Sequence, residues 1–128
     1  MAPAVITEAD AANLSLLGLP QLVALLMRAT VVACDEVPAD VVTMNSRLLY
    51  SDATTGEHRR VVIVYPQYAA PDAGRISVLS PAGMALLGLS AGQRTQCVFP
   101  DGIRHYLRVE AVLHQPEYKL RTQLIVRG

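Results

Sequence analysis

Cysteine is scarce in this chain of 128 residues: Cys34 and Cys97 are the only two, and they stand in no C-x-x-C spacing. A disulfide scaffold and a cysteine zinc site are thereby excluded, and reduced thiols are expected. Net charge is absent as well, because eleven basic residues balance eleven acidic ones. That balance argues against a partner held by bulk charge, such as duplex DNA or an anionic membrane, and no direct sequence-specific nucleic-acid binding is expected. No apolar stretch approaches the ~18–20 residues of a membrane span without a charge or a proline. The N-terminus lacks the basic region, long apolar run and small-residue cleavage site of a secretory leader, so a cytoplasmic protein is expected. Lysine is nearly missing too, since ten of the eleven basic residues are arginine and only Lys119 is lysine. A GC-rich genome produces such a bias; a preference for bidentate carboxylate contacts is its functional counterpart.

What is present is apolar. Such residues make up 52% of the chain, enough to build a core in one compact domain or one domain with a small appendage. Residues 7–34 carry helical spacing, with Leu14, Leu17, Leu22, Leu25, Leu26 and Ala29 near i, i+3, i+4. Thr7 followed by Asp10 resembles a capping box, and Gly18-Leu19-Pro20 interrupts the run where a proline can start a second helix. The spacing predicts helices over 8–17 and 20–33, a short αα-hairpin. Leu16, Val23, Met27, Val31 and Val32 exceed a single stripe, so the hairpin must bury more than one face, against its own domain or a partner.

Beyond the polar connector Asp35–Asp40 the period changes to two. Val42, Met44, Ser46, Leu48 and Tyr50 predict one face of a strand, and His58–Tyr65 a second strand closed by Pro66. Arg75–Leu79 predicts a short third strand. Ser80 is a competent N-cap, Pro81 suits the first helical turn, and Gly88 stands where a left-handed C-cap is wanted. Strands over Gln93–Phe99 and Ile103–His114 follow, the latter with Ile103, His105, Leu107, Val109, Ala111 and Leu113 on one face. The order β-β-β-α-β-β predicts an α+β fold, a mostly antiparallel sheet with one packed helix. The alternation of Leu120, Thr122, Leu124 and Val126 predicts an added edge strand or a segment that pairs with another subunit.

The run from Ser80 to Gly92, S-P-x-G-x-A-L-L-G-x-x-x-G, resembles the signature of the C-terminal domain of the bacterial GreA/GreB transcript-cleavage factors and the related Rnk (regulator of nucleoside diphosphate kinase) family. Pro38-x-Asp40-Val41-Val42-Thr43-Met44-Asn45-Ser46, Val64-Tyr65-Pro66 and Leu113-His114-Gln115-Pro116-Glu117 are similar to further Rnk segments in the same order. The resemblance implies an FKBP-like α+β domain over 37–117, preceded by a helical hairpin over 1–36 and followed by a tail at 118–128. It also implies docking on core RNA polymerase at the rim of its secondary channel, with Leu79, Ser80, Pro81 and Met84 as the contact and the tip Gly18, Leu19, Pro20, Gln21 pointing toward the channel.

Gre factors carry acidic residues at a long hairpin tip that complete a magnesium site, since Mg²⁺ prefers hard oxygen ligands. Here two arms of about 10–14 residues reach only roughly 15–21 Å. The tip, moreover, has no carboxylate between Asp10 and Asp35. A non-catalytic transcription regulator without cofactor, metal or transcript-cleavage stimulation is therefore expected. An FKBP-like fold raises prolyl isomerisation, but such enzymes enclose proline in an aromatic pocket, and this chain has no Trp and a single Phe, Phe99. His58, His105 and His114 show no metal-ligand spacing, and there is neither a Walker A loop nor a G-x-S-x-G elbow. The alternative is a stand-alone interaction module that forms a homodimer through the apolar N-terminal helices, with residues 14–32 at the interface.

Overall fold

The computed structural model describes residues 4–118. Its elements are β1 (Val5–Thr7), α1 (Glu8–Ser15), α2 (Pro20–Arg28), β2 (Thr30–Val32), β3 (Arg47–Asp52), β4 (His58–Val64), β5 (Arg75–Ser77), α3 (Pro81–Leu86), β6 (Arg94–Val98) and β7 (Arg104–His114). Five strands form one sheet in the order β5-β4-β3-β7-β6. Every pair is antiparallel except β4–β5, which two short 3₁₀ turns at Pro66–Tyr68 and Pro71–Ala73 connect in parallel. The class is α+β with a mostly antiparallel sheet.

The N-terminal third departs from its helical pattern. The second helix stops at Arg28 rather than running to 33, and Thr30–Val32 lies parallel to Val5–Thr7 as a two-stranded sheet. β-Branched residues at both places favour this pairing over another helical turn. Thr7 does cap α1, its Oγ1 accepting from the Asp10 N–H at 3.1 Å. Leu14 and Leu22, both fully buried, enter the same core as Met44, Leu48, Ile63, Leu86 and Leu107. The two helices therefore share their core with the sheet.

Two other stretches correct the period-two reading. Residues 41–46 form a folded corner, not strand: Asn45 has φ 66°, and Ser46 Oγ accepts from the Thr43 N–H at 2.9 Å. Val41 and Thr43, which strict alternation would put on the face opposite Val42 and Met44, are buried there along with them. In β7, register shifts against β3 leave Glu110 and Leu113 as extra residues, so Tyr50 faces Val109 while Leu49 faces Ala111. Leu113 consequently turns outward and Val112 packs on the core in its stead. Of the expected tail over 118–128, residues 119–128 lie outside the described residues.

Candidate functional site

The Ser80-Pro81 turn is built by serine chemistry. Ser77 Oγ accepts from the Leu79 N–H at 3.0 Å. Ser80 Oγ accepts from the Gly83 N–H at 3.1 Å while donating to the Ser77 carbonyl at 2.7 Å. Pro81, with no N–H to satisfy, is the first residue of α3. With the Ser80 hydroxyl consumed by these bonds, the side chains left to meet a partner are Leu79, Pro81 and Met84.

These three open onto a groove of about 840 Å³ between α2, α3 and β6. One wall is α2, through Gln21, Leu25 and Arg28, which recur at i, i+4, i+7 on a single helical face. The opposite wall is Leu79, Pro81, Met84 and Ala85. Thr95, Gln96, Cys97 and Val98 line it from β6, which is the last strand of the sheet among the described residues. Leu87 and Leu89 complete a mainly apolar surface on which Arg28 is the single charged group among the described residues. Burial, then the Asp52 carboxylate, push the Cys97 thiol up from its ordinary pKa, so it serves as an apolar lining group rather than a thiolate nucleophile.

The structure thus brings together Leu79, Pro81 and Met84 from the turn with Gln21 from the helical segment. Gly18 (φ 64°), Leu19 and Pro20 do not line the groove; Leu19 packs against the core instead. Leu25, Arg28 and Cys97 are among the lining residues that the sequence reading did not assign to the site, although the i, i+4, i+7 series in α2 was available to find two of them. Gly88 (φ 84°) holds the start of β1 beside this site: the Val5 N–H donates to its carbonyl at 2.9 Å, and a Cβ there would meet Ala4 Cβ at 2.7 Å.

A polar cluster lies next to the groove, around His105, the cross-strand partner of Cys97. His105 Nδ1 is 2.6 Å from Asp52 Oδ2, its Nε2 is 3.5 Å from Asp101 Oδ2, and its ring stacks on Phe99 at 4.1 Å between centroids. Both ring nitrogens face carboxylates, and Nε2 is buried. The imidazole is thereby a joint between two turns rather than a base presented to substrate. Among the described residues, no group of three His, Cys, Asp or Glu side chains could hold a metal ion. No described helix is long and apolar enough to cross a membrane.

The family "Transcription elongation factor, GreA/GreB, C-term" matches residues 37–113. The chain is 37% identical over 123 residues to "Regulator of nucleoside diphosphate kinase" of Escherichia coli K12, covering 88% of this chain and 90% of that one. It is 36% identical over 86 residues to "Transcription elongation factor GreA" of Clostridium botulinum, where the match spans 67% of this chain and 54% of the relative. Among solved structures it resembles "Prokaryotic transcription elongation factor GreA/GreB from Nitrosomonas europaea", with TM-score 0.71, 32% identity, and coverage of 89% of this chain and 100% of that one. The matching stretch contains the Ser-Pro turn and most of the sheet, and with the identity to these relatives it leads to one assignment: the chain belongs to the family of the GreA/GreB transcription factor C-terminal domain.

Proposed function

We propose that the protein is a non-catalytic transcription regulator that binds core RNA polymerase near its secondary channel and does not stimulate transcript cleavage. The observation that carries this reading is the shared groove. Leu79, Pro81 and Met84 of the Ser-Pro turn and Gln21 of the helical segment line one apolar surface. The transcription-factor names of the relatives support the choice of partner. The segment Leu17–Gln21 carries no carboxylate, so it brings no anionic oxygen ligand to a catalytic magnesium. The body is read as an FKBP-like scaffold without isomerase activity, because no aromatic side chain is among the described residues that line the groove. The test is binding of the purified protein to core polymerase in competition with a Gre-type factor, with cleavage of a backtracked complex as second readout. Displacement without RNA hydrolysis is expected, and Met84→Glu should weaken it. No binding at micromolar concentration overturns the reading.

Self-association is the second reading, favoured by the exposed apolar side chains of the N-terminal segment. Leu16 and Met27 are each 82% exposed, with Val23 and Val31 also open. Leu14 and Leu22 are interior and take no part. A monomeric mass in light scattering at tens of micromolar, unchanged in Met27→Glu, removes this reading.

A further inference from the structure

The neutral overall charge conceals a sharp asymmetry across the sheet. One face buries Leu48, Tyr50, Val61, Ile63, Leu107 and Val109 beneath the helices. The register places Arg94 beside Arg108, Arg108 beside Ser51 and Ser51 beside His58 on the opposite face. By the same alternation that outer face carries Arg104, Arg60, Arg47 and Arg75, with His114 next to Arg47. All six arginines are exposed, and among the described residues none is in an ion pair. Among the described strand residues the one carboxylate on the face is Glu110, which accepts from Ser51 Oγ at 2.6 Å. Arg94 and Arg108 are direct cross-strand neighbours, a like-charge pairing that costs a sheet stability, and the Glu110 carboxylate that acts on both is one charge against two. Between them and Tyr106, which is 55% exposed, lies a depression of about 410 Å³ that also includes Ser51 and Glu110.

We infer that this outer sheet face binds single-stranded nucleic acid without sequence preference, its arginines on the phosphates and Tyr106 as a stacking platform for a base. Alternate residues along β7 lie about 6.6–6.8 Å apart, so Arg104, Tyr106 and Arg108 present charge, ring and charge in a line. Guanidinium groups both fork onto phosphate oxygens and stack on bases, whereas a duplex would hide its base faces from Tyr106. The face is opposite the one on which the helices and the Ser-Pro turn pack, so the inference stands independently of polymerase docking.

The test is fluorescence anisotropy of the full chain with a fluorescein-labelled twelve-nucleotide oligo(U) RNA, titrated at several salt concentrations. Binding at low salt is expected, with log K falling against log[salt] by about 0.7 per phosphate contacted. Arg94→Gln/Arg108→Gln should lower that slope by about 1.4, the share of two phosphates. Tyr106→Ala should weaken binding about fivefold or more and leave the slope unchanged. Arg28→Gln, on the other side of the molecule, should change neither. Absence of binding at low salt overturns the inference, as does wild-type affinity in the arginine double variant. Equal competition by polyglutamate combined with no effect of Tyr106→Ala would assign the face to an acidic protein and overturn it likewise.

Discussion

The backbone N–H of Met44 donates to Asp10 Oδ2 at 3.1 Å, tying the first turn of α1 to the corner that leads into the sheet. The Asp10 side chain thus bridges two parts of the fold and is itself buried. Burial raises its pKa from 3.8 to about 6; the bonds from Met44 and Thr7 oppose the rise, and the nearby Glu117 carboxylate adds to it.

A raised acid pKa means that the native state keeps a proton the unfolded chain gives up. The stability this group contributes is full below pH 3.8 and is lost as the pH rises through about 6. The difference between those limits is of order 2–3 kcal/mol. Asp10→Asn keeps a carbonyl oxygen for Met44 and removes the titration. Urea denaturation should show the variant to be the more stable at pH 8, with the gap closing toward pH 4. Parallel pH profiles for the two proteins would refute this assignment.

How legible was Asp10 in the sequence? Its helical role was, because Thr7 and Asp10 stand at capping-box spacing and the cap forms. Its long-range role was not, since nothing local says that a carboxylate will find an N–H 34 residues away. The same division runs through the molecule. Ser80, Pro81 and Gly88 were readable because capping is a short-range matter, and the strands from His58 onward emerged from alternation. Thr30–Val32 was lost because its three residues pair with a strand too short to announce itself. Leu113 was misplaced because a bulge at Glu110 is set by the partner strand β3, which alternation within β7 cannot reveal. The groove joins α2 to α3 and β6, so only its walls, never their meeting, could be read from the chain.

The His105 joint makes a prediction of its own. The Asp52 hydrogen bond raises the His105 pKa above 6.5 against the effect of burial, with Asp101 assisting. Burial works to raise Asp52, but the bonds from His105 and the Thr54 N–H outweigh it and hold that carboxyl below 3.8. The histidine's contribution is present below pH 6.5 and lost as the pH climbs through its raised value. The aspartate's is present above pH 3.8 and lost as the pH falls through its lowered one. The pair therefore holds the two turns best between those limits. Asp52→Asn should move the midpoint of the His105 ring resonances in NMR to lower pH. An unmoved midpoint would mean the bond does not govern the titration.

Ser80→Ala removes a hydroxyl that serves both as N-cap acceptor and as donor to Ser77. A loss of about 1–2 kcal/mol in chemical denaturation is expected. Because the hydroxyl is spent inside the turn, polymerase competition by the folded variant should stay near wild type. A full loss of competition with unchanged stability would instead make Ser80 a direct contact.

Gly83 offers the sharpest steric test of the groove. A Cβ there would lie 2.2 Å from the Ser77 carbonyl oxygen and 3.0 Å from Ser80 Oγ. That carbonyl is fixed, since it accepts from the Ser80 N–H at 3.0 Å and from the Ser80 hydroxyl at 2.7 Å. The side chain of an alanine could be housed only by lifting α3 from the end of β5, breaking the bonds that shape the turn. Gly83→Ala should therefore cost about 3 kcal/mol, the upper part of the overpacking range. Gly18→Ala makes the control: φ is 64°, yet nothing lies within 4 Å of the new Cβ, so only backbone strain of about 1 kcal/mol is expected. Urea denaturation ranks the two directly. If Gly83→Ala proved no more damaging than Gly18→Ala, the close approach of α3 to Ser77 would not be what positions Pro81 and Met84 in the groove.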